Sequence, residues 1–181
     1  MTLYFITKPE ARNYGAALWA GFLGGNLSSF VKWGTENPMP PRTPDRGIPP
    51  AEMLQDLGFN VNEMIYNYSG HIVNWGVAGI HHLFSIVFAM FYCFVAEIFP
   101  AIKLWQGAAF AILVTIGFHG ILLPVFHWAP PLWQLPFDEI LSETLGHILW
   151  MWAIEVVRRD VRNRITKEPD PEFQQTLEDK C

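Results

Sequence analysis

Four apolar stretches, residues 14–34, 72–99, 104–127 and 138–157, constrain this chain more than any other feature. Each is close to the roughly 20 residues a helix needs to cross the hydrocarbon of a bilayer. Inside them stand Lys32, His81, His82, Glu97, His119, Glu143, His147 and Glu155. An ionisable group at such a depth must find a partner or water. The pattern therefore predicts an all-α, polytopic membrane protein. Its four transmembrane helices form one bundle around a polar interior.

The mean hydropathy of +0.18 is modest for such a protein. The polar segments 35–70 and 158–181 dilute the apolar ones, and the length allows a single bundle over residues 1–167 with a disordered tail at 168–181. A net charge of −5, with no basic patch interleaved with exposed aromatics, argues against nucleic acid as a partner. Cys93 and Cys181 make neither a metal-binding spacing nor a disulfide framework. Lys8 and Arg12 before an apolar run imitate a signal peptide, but the run is too long and Asn26, Ser28 and Ser29 interrupt it. The first span is expected to stay.

Positive charge sets the orientation. Lys8, Arg12, Lys103, Arg158, Arg159, Arg162, Arg164, Lys167 and Lys180 fall on one side of an even number of spans, and Lys32, Arg42 and Arg46 on the other. That bias predicts a bacterial inner-membrane protein with both termini in the cytoplasm. The cytoplasmic cations are expected to meet anionic lipid head groups. The outer loop 35–70 opens with a proline-rich run from Pro38 to Pro50 that cannot be helical. Ala51 to Leu57 then reads as a short periplasmic amphipathic helix, with Met53, Leu54 and Leu57 at helical spacing.

The polar residues fall on stripes. Gly21, Gly25, Ser28, Lys32 and Glu36 share a face of the first span, and Asn74, Ala78, His81 and Ser85 a face of the second. Thr115 and His119 are four apart, as are Glu143 and His147, so the latter two side chains are expected to meet. Most of the costly groups fall in the outer half of the membrane. They predict a polar pocket of His81, His119, Glu143, His147, Asn74, Ser85, Lys32 and Glu36. The plainer reading of Lys32 and Glu36 is an interfacial ion pair, and Gly21–Gly25 alone says only that two helices touch closely. Glu97 and Glu155 fall near the inner surface, within reach of Lys103 and of Arg158 or Arg159.

Imidazole titrates near neutral pH, so a His–Glu group changes charge as the outside acidifies. Three imidazoles and a carboxylate (His81, His119, His147 and Glu143) also make a transition-metal set, and a histidine pair between helices can ligate haem. No nucleophile elbow, H-E-x-x-H or phosphate loop occurs, so nothing positive marks an enzyme.

Specific residues also carry a family resemblance. They are Phe30-Val31-Lys32-Trp33-Gly34 with Pro40-Pro41-Arg42; Gly70-His71 through Ser85-Ile86-Val87-Phe88-Ala89 and Ala96-Glu97 to Lys103-Leu104-Trp105-Gln106-Gly107; and Ser142-Glu143, Gly146-His147 and Glu155 through Arg158-Arg159-Asp160, Arg162-Asn163-Arg164-Ile165-Thr166 and Pro169-Asp170-Pro171. Together they resemble the YagU family of bacterial inner-membrane proteins. The resemblance implies four spans in the inner membrane and supplies no catalytic residue, since that family has no established biochemical activity. Its pattern implies one histidine where this chain has His81-His82, and His81 is taken as the pocket residue.

The sequence thus leads to a pocket open to the periplasm that responds to external acid or handles protons, with no cofactor expected. The alternatives are a transition-metal or haem site, and a non-catalytic interaction protein whose polar stripes join subunits of a homo-oligomer.

Overall fold

The structure is a computed structural model that describes residues 5–36, 38, 47–168 and 170–171, without the side chain of Glu36. Helix α1 spans Tyr14–Glu36, α2 Pro49–Asp56, α3 Trp75–Ile98, α4 Ala108–Val125 and α5 Phe137–Thr166. Between α2 and α3 lies a hairpin of β1 (Ile65–Tyr68) and β2 (His71–Asn74). Helices α3, α4 and α5 are each long and apolar enough to cross a membrane.

Helix α1 organises the packing. It begins where the Asn13 side chain accepts the Ala16 amide, which caps the first turn. Its glycines weaken an isolated helix by about 1 kcal/mol each, so neighbours must hold it. They do so through a seam of small residues at helical period: Ala16, Ala17, Ala20, Gly21, Gly24, Gly25, Ser28 and Ser29 are all buried. A Cβ on Gly21 would lie 2.5 Å from the Met90 Cα, and one on Gly25 2.5 Å from the Ile86 Cα. Gly24 faces Ile154 of α5 instead. Small residues let backbones approach this closely, and in lipid that close packing replaces the hydrophobic effect as the force between helices. The opposite face of α1 exposes Leu18, Trp19, Phe22, Leu27 and Phe30.

Helices α3 and α5 both pack on α1, and α4 packs on α5. Tyr92, Trp150, Met151 and Ile154 fill the centre with Ala17, Ala89 and Ala111. Phe84 and Phe88 stack on each other and both meet Trp150, and Phe118 meets the two phenylalanines edge-on.

Three elements depart from the expected outline. The chain is mostly helical but not wholly so. Residues 65–74, expected in a loop and at a helix start, form an antiparallel hairpin with Tyr68 paired to His71. Aromatic and β-branched residues flank a Ser69-Gly70 turn in which both φ angles are positive, the geometry that matches strand twist. Helix α3 therefore starts at Trp75, with Asn74 as its cap. The third apolar stretch is helical only from Ala108, and one π-helical turn, Phe118–Leu122, interrupts it. The short helix begins at Pro49 rather than Ala51, because proline suits a first helical turn. It docks on α3, burying Leu54 and leaving Leu57 exposed. Most of the proline run lies outside the described residues.

Candidate functional site

Polar groups gather at both ends of the packed helices. At one end the hairpin strand β2, α2 and the α4–α5 connection border a cavity of about 700 Å³. At the other, charged side chains are sealed into the core.

The cavity wall carries Lys32 from α1, His81 and Ser85 from α3, His119 from α4, and Glu143 and His147 from α5. Its apolar walls include Trp33, Phe84, Phe118 and Trp150, with Pro49, Pro50 and Met53 of α2 above. A hydrogen bond from the Trp128 indole to Asp56, 2.6 Å long, ties α2 to the α4–α5 connection.

Glu143 is the hub. Its Oε2 lies 3.5 Å from the Lys32 ammonium and 3.5 Å from His119 Nε2, and all three side chains are about nine-tenths buried. His119 is the buried residue of the π turn, and such bulges often mark functional sites. The rings of His119 and His147 meet edge to face at 5.5 Å.

The Glu143 and His147 side chains come close, within 4.8 Å between ligand atoms, and the hydrogen bond between the two residues runs to the backbone. His147 Nδ1 lies 2.8 Å from the Glu143 backbone oxygen. A carbonyl only accepts, so Nδ1 carries the proton and donates. The intrahelical i,i+4 spacing thus serves the backbone, and the carboxylate turns to α1 and α4. Lys32 reaches across from α1 to Glu143. The predicted Lys32–Glu36 pair falls on a side chain outside the described residues.

His81 and His82 part company. His82 is held between Ser29 Oγ at 2.6 Å and Asn26 Oδ1 at 2.9 Å, in the α1–α3 seam. His81 faces the cavity, stacks on Trp33 at 5.7 Å, and has a buried Nδ1 with no hydrogen-bond partner. Asn74 lines the cavity too, but its side chain is used in structure: it accepts the Val77 amide and donates to the Val61 carbonyl. Ser85 donates to the Gly25 carbonyl at 2.8 Å and accepts the Trp150 indole at 2.7 Å, which fixes the cavity floor.

The charged end was foreseen only in part. Glu97 pairs with Arg162, not with Lys103: Nε–Oε1 is 2.6 Å, and the Asn13 amide donates to the same carboxylate at 2.8 Å. Glu155 does pair with Arg158, at 2.6 and 2.8 Å, and accepts the Tyr92 hydroxyl. Arg159 takes no part and is exposed. Asp170, expected in the disordered tail, bonds Arg158 at 2.6 and 2.9 Å and Lys103 at 2.8 Å. Lys103 also donates to the Pro171 carbonyl. Three acids thus meet three bases with their charges matched, which a buried cluster requires. Burial opposes the charge on Asp170, but the Arg158 hydrogen bonds and charge, with Lys103, outweigh it and hold its pKa below the usual carboxylate value. Sequence reasoning missed Arg162 and Asp170. The signal was the spacing of Glu155, Arg158 and Arg162, three and four apart on one helical face.

Comparison with known proteins identifies the family. The family described as "Protein of unknown function (DUF1440)" matches residues 26–156. The inner membrane protein YagU of Escherichia coli (strain K12) is 43% identical over 199 residues, covering 96% of this chain and 97% of that one. No solved structure matches.

Proposed function

The chain belongs to the YagU-like DUF1440 family of integral inner-membrane proteins, multi-pass by its apolar helices, and from that premise we propose that its cavity is a proton-responsive site facing the periplasm. One observation carries the reading: the buried side chains of His119, Glu143 and Lys32 meet in a pocket that His81 and His147 also line. With neutral imidazoles the Lys32 and Glu143 charges cancel. Each proton added to a histidine beside Lys32 puts uncompensated positive charge among buried side chains, with Asp138 and Glu139 the other acids that line the cavity. That charge must draw in water or separate the helices. Imidazole is the side chain whose unperturbed charge change lies closest to neutral pH, so external acid is the stimulus such a cavity would answer.

The orientation rests on charge. Nine of the twelve Lys and Arg residues belong to the sealed end and the segments flanking it in sequence, a bias that by the positive-inside rule supports a cytoplasmic side for that end and both termini. The cavity and α2 then face the periplasm. Helix α1 is a fourth span in this arrangement, since its apolar side chains point outward while Ser28, Ser29 and Lys32 turn inward. The exposed Arg159 remains to meet anionic head groups, whereas Arg158 and Arg162 are committed inside.

The test is hydrogen exchange on α3 and α5 at neutral and mildly acid pH, in chelator-treated protein. Exchange near the cavity is expected to speed up with acid, and a variant with His81, His119 and His147 all replaced by Gln is expected to lose that dependence. Equal pH dependence in both proteins means the histidines only pack.

A further inference from the structure

The cavity contains a second chemistry that acid sensing does not require. His119, Glu143 and His147 each offer one ligand atom, all within 4.8 Å of one another, and all three residues are buried. Two imidazoles and one carboxylate are the donor set of zinc and of related divalent transition cations. At bond lengths of about 2.1 Å and a tetrahedral angle, ligand atoms sit about 3.4 Å apart. The observed spread therefore needs inward shifts of about 1.4 Å at most, within the reach of side-chain torsions.

Two details favour metal over chance packing. The first is the state of His147. Its Nδ1–H donates to the Glu143 carbonyl at 2.8 Å, which leaves Nε2 as the only lone pair of the neutral ring. Metal-ligating histidines are commonly fixed in this way, by a backbone acceptor on the other nitrogen. Edge-to-face contact with Trp150, itself anchored to Ser85, holds the ring further. The second is access. All three residues line the cavity, so a fourth position is open to water or to a small ligand. We propose that His119, Glu143 and His147 bind one divalent transition cation of the zinc type, with Lys32 as the charge that balances Glu143 when no cation is bound.

Lys32 gives the proposal a distinctive consequence. Its ammonium lies 3.5 Å from the Glu143 carboxylate, where a dication must also sit. It competes for the carboxylate and repels the metal. Replacing it with a neutral residue should therefore tighten binding, whereas an ordinary polar pocket would only be weakened by losing its cation.

Cobalt(II) titration of the tag-free full chain in detergent, after chelator treatment, tests this by visible ligand-field bands. One cobalt per chain is expected, displaced by zinc. His119→Gln, Glu143→Gln and His147→Gln should each weaken binding roughly a hundredfold or more, since loss of an outer partner alone weakens metal sites about 10–100-fold. Lys32→Met or Lys32→Gln should tighten it on the order of tenfold. Both should also show a larger rise in melting temperature with metal than the wild type does. His82→Gln, outside the donor set, should leave binding unchanged. No saturable binding, binding indifferent to the three ligand variants, or weaker binding after loss of Lys32 overturns the proposal. The two readings fail separately: acid-dependent exchange in metal-free protein without cobalt binding sinks the metal site alone, and the converse sinks the proton response alone.

Discussion

Replacing Arg162 with Leu isolates one charge at the sealed end. Glu97 has no exposed surface, and Arg162 is 1% exposed. Arg162 supplies two bonds to the carboxylate, at 2.6 and 3.3 Å. Without them, the Asn13 amide is the donor left from this set. Losing one partner of a buried pair destabilises by about 3–5 kcal/mol. A separate bound comes from protonation. Neutralising a carboxyl of ordinary pKa, about 4.3, at pH 7 takes about 1.4 kcal/mol per pH unit, or about 4 kcal/mol. The expected cost is thus about 3–4 kcal/mol. Glu97→Gln together with Arg162→Leu removes the stranded charge and keeps the Asn13 bond, so the double variant should recover about 2 kcal/mol relative to the sum of the two single changes. Reversible unfolding in mixed micelles, followed by tryptophan fluorescence, measures all corners of the cycle. A single-variant loss below about 1 kcal/mol, or strict additivity, would refute a tightly coupled buried pair.

The other predictions concern helix contact and the tail. Gly25→Ala must push a Cβ into the Ile86 backbone, and should cost about 1–3 kcal/mol in thermal or denaturant unfolding. Gly34→Ala meets nothing within 4 Å and should instead stabilise by up to about 1 kcal/mol through helix propensity. The folded-state pKa of Asp170 is depressed, so its contribution is fully present above the unfolded value of about 3.9 and is lost as pH falls through the lower folded value. Asp170→Asn should therefore be less stable than wild type at neutral pH, and the gap should close only below about pH 4. Unfolding midpoints across that range check the sign.

The helices were legible because lipid imposes a strong length and polarity rule. The seam of α1 was readable in outline from Gly21 and Gly25, and so was the stripe Asn74, Ala78, His81 and Ser85, all of which line the cavity. Partner choice was not legible. Spacing puts Glu143 and His147 on one face, but the Glu143 carbonyl captures the imidazole nitrogen, and the carboxylate is then free for Lys32 and His119. The π turn at His119 leaves no periodic signature in Phe118–Leu122, since it depends on how α4 packs against α5. At the sealed end, a tail rich in charge looks the same whether solvated or folded inward. Asp170 returns to the bundle because Arg158 and Lys103 wait there, a tertiary cause with no local signal.

The most direct measurement is labelling of a single cysteine on the cavity wall by a membrane-impermeant thiol reagent. Ser142→Cys, in a chain with Cys93 and Cys181 replaced, places the thiol among the lining residues. Ser69→Cys, in the exposed hairpin turn, serves as reference for the pH dependence of the thiol itself. The account predicts labelling from the periplasmic side, with the ratio of cavity to reference rate rising as the external pH is lowered and the imidazoles gain protons. The rise should vanish when His81, His119 and His147 are replaced by Gln. Labelling from the cytoplasmic side alone, or a ratio that does not change with pH, would contradict it.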